Sequence, residues 1–231
     1  MTMLSGRPIP SGRSAVMADR REPPDGLDYF PTPPWATRAL FAHVLPELGV
    51  TSVGSVWEPA CGDGIMAAVI EEFVRGPVVA SDLIDYGYGT APVDFLTHEP
   101  LIKPDWTITN PPFRLGLEFT LRALALATEG VAMFARTQWI ESAERYRRLF
   151  RDRPPALVAP FVERVPIVKG RWNPDKSTAT SYAWFVWLQS RREPTRVFWI
   201  PPGCRRRLTR ADDRARFAAS TLSAAPLFDA G

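Results

Sequence analysis

The chain has 231 residues, of which 45% are hydrophobic, and this is enough for one α/β domain with a sizeable core rather than two domains. A formal net charge of +3 excludes a generalised polyelectrolyte binder, and two cysteines with two histidines exclude a disulfide framework and make a metal site improbable. Because there is no membrane-length apolar run and no signal-peptide core, we expect a soluble, cytoplasmic protein.

Residues 1–27 contain few large apolar side chains, so we expect a flexible N-terminal arm there and one domain over 28–204. Helical spacing of apolar residues predicts a helix over 35–45, and Pro34 suits its first turn. Short apolar runs then alternate with helical stretches, which is typical of βαβ units around a parallel sheet. The predicted strands are 53–57, 78–80, 106–108 and 131–134, with helices at 65–74 and 115–127.

Beyond Arg136 the pattern is less regular. A basic amphipathic helix is predicted over 141–150, followed by runs that end in hairpin-like turns and indicate an antiparallel edge on the sheet. These runs lie at 157–168, 182–188 and 197–200. The tail, 205–231, is Arg-rich and then Ala-rich, and it predicts a short helix at most.

A turn of small residues follows the first predicted strand, with the sequence Glu58-Pro59-Ala60-Cys61-Gly62-Asp63-Gly64. Such a turn brings backbone close to a ligand at the carboxyl end of a strand, although a plain strand-to-helix turn is the alternative. The spacing matches neither GxGxxG nor a phosphate-cradling loop, which favours a cofactor without phosphates. Cys61 has no His nearby in sequence, so we expect it to pack rather than to act as a nucleophile.

Acidic residues stand at the ends of the next two segments. Asp82 follows Glu58 by 24 positions, which is where such folds hold ribose hydroxyls, or else it caps the following turn. Asp94 and Phe95 suit an adenine amine and its ring face, or else Phe95 belongs to the core.

The third motif, Asn110-Pro111-Pro112-Phe113, directly follows an apolar strand. Proline removes backbone N–H donors, so the segment offers rigid carbonyl acceptors, and Asn110 adds a side-chain carbonyl. These groups suit an exocyclic amine held through both of its hydrogens. Phe113 would then stack on the attached ring.

In this order, the motifs resemble those of class I S-adenosylmethionine-dependent methyltransferases, in particular the γ-ordered DNA adenine-N6 methyltransferases. The resemblance runs from Tyr29 to about Arg136 and includes Thr32-Pro33 as an N-terminal cofactor motif. It implies a Rossmann-like fold with a seven-stranded, mostly parallel sheet, an antiparallel edge strand and helices on both faces. The cofactor would be S-adenosylmethionine.

The resemblance also implies residue roles. Thr32 and Glu58, with Pro59, Ala60 and Gly62 of the turn, would hold the methionine end of the cofactor. Asp82 would hold the ribose, and Asp94 with Phe95 the adenine. Asn110 and the Pro111 carbonyl would orient the target amine, followed by Pro112 and a stacking Phe113. No general base is required, because the amine loses its proton after attack.

The chain is shorter after these motifs than γ-ordered enzymes usually are, so target contacts would fall to the segment 141–180. Its cations are interleaved with aromatics and suit phosphates and bases, or else they form a solvated face. They are Arg145, Arg147, Arg148, Arg151, Arg153, Arg164, Lys169, Arg171 and Lys176. The arm at 1–27 and Arg205–Arg207 are further candidates. In the same segment, Trp172-Asn173-Pro174-Asp175 predicts a turn, with an exposed ring as the alternative.

The leading interpretation is a solitary enzyme that methylates the N6 amine of adenine in DNA, without a membrane or an obligate protein partner. RNA adenine, cytosine N4 or a protein glutamine amide would suit the same chemistry, because each presents a planar nitrogen. An inactive nucleic-acid-binding module is the alternative from another class.

Overall fold

The computed structural model describes residues 28–170, 172–175, 178–190 and 194–218. The N-terminal arm, Arg171, Lys176 and the end of the tail lie outside these ranges. The strands are β1 (Val56–Glu58), β2 (Val78–Ala80), β3 (Trp106–Thr109), β4 (Gly130–Arg136), β5 (Leu157–Pro160), β6 (Tyr182–Leu188) and β7 (Arg196–Val197).

These strands form one seven-stranded sheet in the order β2-β1-β3-β4-β6-β5-β7. The first four are parallel, β7 is parallel to β5, and β6 is antiparallel to both of its neighbours. The prediction of a mostly parallel sheet with one antiparallel strand is therefore confirmed, but this strand is an inner strand and not the edge strand that was predicted. Strand β6 lies between β4 and β5, which explains why nearly all of its residues are buried.

Helices cover both faces of the sheet, as expected. They are α1 (Pro34–Ala39), α2 (Leu45–Glu47), α3 (Ile65–Ile70), α4 (Gly116–Leu126), α5 (Ala143–Arg145) and α6 (Cys204–Leu208). Side chains of β4 alternate between the two cores: Phe134 packs in the core that contains α1 and α3, and Met133 packs in the core that contains α4. The sheet thus has two apolar layers, and its strand ends stay free for polar groups.

Most predicted elements appear, with shifted ends. The helix predicted over 35–45 begins at Pro34 and continues through a π-helical turn, Leu40–Val44, into α2. The strand predicted over 53–57 begins only at Val56, since the N–H of Ser55 donates to the Asp105 carboxylate at 2.7 Å instead of to a neighbouring strand. The basic helix over 141–150 is confirmed, and the hydroxyl of Ser142 caps it by accepting from the Arg145 N–H.

An ion cluster that the sequence analysis did not foresee fixes α1 to the end of the described chain. The Arg38 guanidinium is 2% exposed and donates to both oxygens of Asp213 at 2.7 Å and to both oxygens of Glu72 at 2.8 and 3.0 Å. It also donates to the Leu208 carbonyl. We call Arg38, Glu72 and Asp213 the Arg38 cluster. No helix in the described ranges is long and apolar enough to cross a bilayer.

Candidate active site

A cavity of about 400 Å³ lies at the carboxyl ends of β1, β2 and β3. All the predicted site residues except Gly62 line it. Three motifs that are far apart in sequence therefore meet at one place, where open α/β sheets characteristically bind ligands.

One half of this cavity is lined by the glycine turn and the acidic residues, and the other half by residues 110–113. Residues 28–33, which we call the strap, join these two halves. At one end, the Tyr29 hydroxyl accepts a hydrogen bond from the N–H of Asp63 in the glycine turn, at 3.3 Å. At the other end, the Asp28 carboxylate accepts from the N–H of Phe113 at 2.6 Å. Thr32 is the one residue of the strap among the predicted site residues. The signal available was the composition of the strap itself, in which polar and aromatic residues stand beside prolines directly before the first helix.

Glycines let two tyrosine rings approach the turn closely, that of Tyr29 in the strap at Gly62 and that of Tyr88 at Gly64. Gly62 and Gly64 have φ values of 53° and 83°, in the left-handed region that favours glycine. A Cβ atom on Gly62 would lie 2.1 Å from Cε2 of Tyr29, so the tyrosine ring rests directly on the backbone of the turn. Cys61 is buried here, and burial raises the pKa of its thiol to about 12, which agrees with a packing role.

The floor of the cavity carries an acidic cluster of Glu58, Asp63 and Asp82. Glu58 is 2% exposed, and its Oε2 has no hydrogen-bond partner within the described residues. Burial raises the pKa of Glu58 well above its usual value, and the charges of Asp63 and Asp82 raise it further. A buried carboxylate oxygen without a donor is costly unless a cation or a donor from a ligand completes it.

Asp82 is more exposed and already accepts two backbone hydrogen bonds. Its Oδ2 accepts from the N–H of Gly62 at 2.9 Å, and its Oδ1 accepts from the N–H of Ile84 at 3.0 Å. The second bond is the turn cap given as the alternative in the sequence analysis. Each carboxylate oxygen has a further lone pair, so capping leaves capacity for two ligand hydroxyls.

For Asp94 and Phe95, the structure also shows the alternative interpretation, in which Phe95 belongs to the core. The Asp94 carboxylate is exposed and accepts from the Leu96 N–H and the Thr97 hydroxyl, at 3.0 and 3.1 Å. Phe95 is 1% exposed and meets Trp57 edge-on, with ring centroids 4.9 Å apart. Both residues still line the cavity, Phe95 as part of the apolar core beneath it.

Asn110, directly after β3, is oriented by the strap. Its Nδ2 donates to the Phe30 carbonyl at 2.8 Å and to Oγ1 of Thr32 at 3.1 Å. Because both partners accept, the amide orientation is defined, and Oδ1 is left buried without a partner in the described ranges. The side chain can therefore act as a fixed acceptor.

Phe113 closes the opposite side of this half of the cavity, with Pro111 and Pro112 between it and Asn110. Its ring centroid lies 4.9 Å from that of Phe30. The Cζ atom of Arg136 lies over the same ring at 4.2 Å from the centroid. Arg136, at the end of β4, was not among the predicted site residues, because nothing in its local sequence distinguishes it from other arginines.

Most described cations of the segment 141–180 already have partners. Arg145 donates to the carbonyls of Trp139 and Glu141. Others pair with carboxylates or donate to polar groups nearby: Arg148 with Glu118 and Glu144, Arg151 with Asp152, Arg153 with Gln189, and Arg164 with Ala179 and Ser181. These contacts favour the interpretation of 141–150 as a solvated helix face.

Trp172 does not present its ring to solvent. It is 5% exposed and packs with Phe217, Ile65 and Val69. The turn predicted at this position is confirmed by the Asp175 N–H, which donates to the Asn173 side chain at 3.0 Å. The alternative of an exposed ring beside a base is wrong, since α3 and the end of the described chain bury the indole.

No family model matches the chain, and no curated protein matches its sequence. Several solved structures do match. A proposed RNA methyltransferase from Pyrococcus horikoshii aligns with a TM-score of 0.52 at 15% identity, over 72% of this chain and 89% of its own. A proposed class I S-adenosylmethionine-dependent methyltransferase from Listeria monocytogenes aligns with a TM-score of 0.56 at 10% identity, over 85% and 72%.

A third similar structure is the modification subunit of a proposed type I restriction enzyme from Vibrio vulnificus. It aligns with a TM-score of 0.51 at 14% identity, over 81% of this chain and 51% of its own. At such identities the likeness concerns the fold. The predicted Rossmann-like class I methyltransferase fold is therefore confirmed, with its cavity at the expected edge of the sheet.

Proposed function

We propose that this protein transfers a methyl group from S-adenosylmethionine to the N6 amine of adenine in DNA. The observation that carries the proposal is the state of Asn110. Its Nδ2 is bound to Phe30 and Thr32, while its buried Oδ1 is left as a fixed acceptor facing no protein donor among the described residues. An amine N–H is the group that such an acceptor would bind.

The acidic cluster supports the choice of cofactor. S-adenosylmethionine has a cationic sulfonium and an ammonium group, and it supplies an electrophilic methyl group. Glu58, with its unpartnered buried oxygen, and Thr32 would hold the methionine end, beside Pro59, Ala60 and the Gly62 backbone. Asp82 would accept from the ribose, and Asp94 with Phe95 would meet the adenine. A phosphate-bearing cofactor would be repelled by the same carboxylates.

The target half of the cavity would position the amine. Asn110 Oδ1 and the Pro111 carbonyl would accept its two hydrogens, so that the nitrogen lone pair points toward the methyl carbon. The bound cofactor would supply the methyl carbon, whose bond to nitrogen would form as its bond to sulfur breaks, and the extra proton of the amine would leave to solvent. An amide is no base, so Asn110 contributes positioning and electrostatic stabilisation.

The choice of adenine in DNA comes from the motif order from Tyr29 to Arg136. Among the structural neighbours, one is named as a proposed RNA methyltransferase and another as the modification subunit of a proposed type I restriction enzyme. RNA adenine, cytosine N4 and a glutamine amide are therefore outcomes that the test must separate.

The test incubates purified protein with labelled S-adenosylmethionine and unmethylated DNA, RNA or cell-extract protein, followed by mass spectrometry of nucleosides and residues. N6-methyladenine in DNA is the expected product. Label in RNA, in cytosine or in glutamine would show that the same methyl transfer takes place on a different acceptor. Protein that binds no S-adenosylmethionine would overturn the proposal as a whole.

Replacing Asn110 by Ala should lower kcat by at least about a hundredfold, as for loss of a preorganised electrostatic contact, while the cofactor Kd changes only a few fold. Unchanged turnover would contradict the assigned role of Asn110.

A finer test uses two buried threonines. Thr32→Val removes the hydroxyl that orients Asn110, and we expect kcat to fall by about tenfold, as for the loss of one hydrogen bond. Thr37→Val is the matched control, because Thr37 is fully buried in α1 and its Oγ1 has no partner within the described residues. Equal activity of the two variants would show that the Thr32 contact does not position Asn110.

A further inference from the structure

Arg136 lies over the ring of Phe113, which lines the cavity. Its side chain is exposed, and it forms no ion pair with any residue that the structure describes. Burial raises the pKa of Tyr182, while the charge of Arg136 and a hydrogen bond from it oppose that rise. The guanidinium is therefore held by a ring face and a phenol, and no carboxylate of the described chain neutralises it.

The two side chains that pack on the Phe113 ring, Phe30 and Arg136, differ in how firmly they are fixed. Phe30 is tied to the site, because its carbonyl accepts from Asn110 and its ring packs against the core. Phe113 is held by the hydrogen bond from its N–H to Asp28. Arg136 is exposed and is held by the Phe113 ring face and the Tyr182 hydroxyl alone, so it is the neighbour of Phe113 that moves more readily.

The spacing leaves no room for a second layer between the guanidinium and the ring. Arg136 Cζ is 4.2 Å from the ring centroid, which is about one van der Waals layer. A base stacked on that face of Phe113 would need the same layer. The guanidinium and an acceptor base therefore exclude each other there.

We propose that Arg136 holds the place of the acceptor base in the free protein and moves to a backbone phosphate of the target nucleotide when the base enters. The inference rests on the proposed function, since it needs a base extruded from a polynucleotide. Such a nucleotide keeps its flanking phosphates at the mouth of the pocket. Arginine binds phosphate through a planar, bidentate fork. The carboxylates of the acidic cluster do not attract phosphate, so the attraction would come from Arg136.

The experiment compares Arg136→Gln, which removes the charge, with Arg136→Lys, which keeps it. Arg148→Gln is the matched control, because it removes one exposed arginine that already pairs with Glu118 and Glu144. For each protein, the Kd for unmethylated DNA is measured over a salt series. Inhibition of DNA methylation by deoxyadenosine and by dAMP is measured at saturating S-adenosylmethionine.

For Arg136→Gln, we expect the slope of log Kd against log salt to fall by about one, and dAMP to lose a roughly tenfold advantage over deoxyadenosine. Deoxyadenosine itself should inhibit this variant several-fold better than the wild type, because the place over Phe113 is vacated. Arg136→Lys should keep the salt slope, and Arg148→Gln should match the wild type throughout.

If Arg136→Gln behaves like Arg148→Gln in both measurements while the wild type methylates DNA, this inference is overturned and the proposed function stands. A wild type that binds S-adenosylmethionine but methylates no polynucleotide would instead overturn the proposed function, and with it the base that Arg136 is proposed to replace. Unchanged cofactor Kd and thermal unfolding in the variants exclude a folding effect.

Discussion

The Arg38 cluster and the acidic cluster of the cavity both bury carboxylates, but only one of them is neutralised by the protein. Arg38 has both oxygens of Glu72 and of Asp213 within 3.0 Å. Glu58 instead lies near two further carboxylates, and its Oε2 has no donor in the described ranges. Buried charge that is fully paired holds the fold together, whereas buried charge of one sign leaves a site that a ligand must complete.

The pKa directions express the same difference. Burial alone would raise the pKa of Glu72, but hydrogen bonds from Arg38 and Arg216 and the charges of Arg38 and Arg210 hold it below its usual value. For Glu58, burial and the neighbouring carboxylates all act in one direction and raise it. The protein stabilises the ionised form of one carboxylate and penalises that of the other.

The largest expected effect comes from breaking the paired cluster. Arg38→Ala leaves Asp213 buried without its cation, so the free energy of unfolding should fall by about 3–5 kcal/mol. Urea denaturation measures this loss. Arg148→Ala, at an exposed pair, serves as the control and should lower the free energy of unfolding far less. Similar losses in the two variants would mean that the Arg38 cluster contributes no more than a surface pair.

The next effect separates stability from binding. Glu58→Gln removes an unpaired charge, so it should leave stability unchanged or raise it, while S-adenosylmethionine affinity falls by about tenfold or more. Asp213→Asn is the counterpart in the paired cluster and should lower stability without touching cofactor affinity. Calorimetric titration and urea denaturation of both variants measure these values, and a stability loss in Glu58→Gln would contradict the assignment.

Asp82→Ala should weaken S-adenosylmethionine binding by about tenfold, through loss of its ribose contact. The substitution also removes the two bonds to the Gly62 and Ile84 N–H groups, so thermal unfolding is measured alongside. Asp94→Ala, at the exposed carboxylate, should have a smaller effect on affinity. A normal cofactor Kd in Asp82→Ala would show that the ribose assignment is wrong.

The smallest expected effect concerns the free energy of unfolding as a function of pH, to which Glu58 and Glu72 should contribute slopes of opposite sign. Because the folded-state pKa of Glu58 is raised, its contribution to stability is largest at low pH and is lost as pH rises above the unfolded value. The pKa of Glu72 is lowered, so its contribution is present above the unfolded value and lost as pH falls. Comparing wild-type stability with Glu58→Gln and Glu72→Gln across pH 4–8 should show each slope disappear in its own variant.

The sequence predicted the fold and the site best where residue chemistry and hydrophobic periodicity indicate the same element. The strand at 182–188 and the meeting of Glu58, Asp82 and Asn110 at one sheet edge follow from local pattern and parallel topology. The strap contacts and the position of Arg136 were not predicted, because they depend on contacts between separate segments of the chain. Phe30 and Asn110, for example, are 80 positions apart. The role of Arg38 was not predicted either, because its two carboxylate partners lie 34 and 175 positions away in sequence.

Pairs of opposite charge also made the segment 141–180 harder to interpret from sequence. A count of arginines there suggests a phosphate-binding surface, yet Arg148 and Arg151 lie beside carboxylates that neutralise them. Their availability to a nucleic acid depends on neighbours such as Glu118, which belongs to another helix. Composition records charge but not whether that charge is already paired.

The bond between Arg38 and Asp213 also constrains the order of events during synthesis. The two residues are 175 positions apart, so α1 is made long before the partner of its buried arginine. Until then, Arg38 has Glu72 as its one partner within the Arg38 cluster, so burying its guanidinium costs more than in the finished fold. The strap directly precedes α1, so the cavity that it closes would be assembled last on the ribosome.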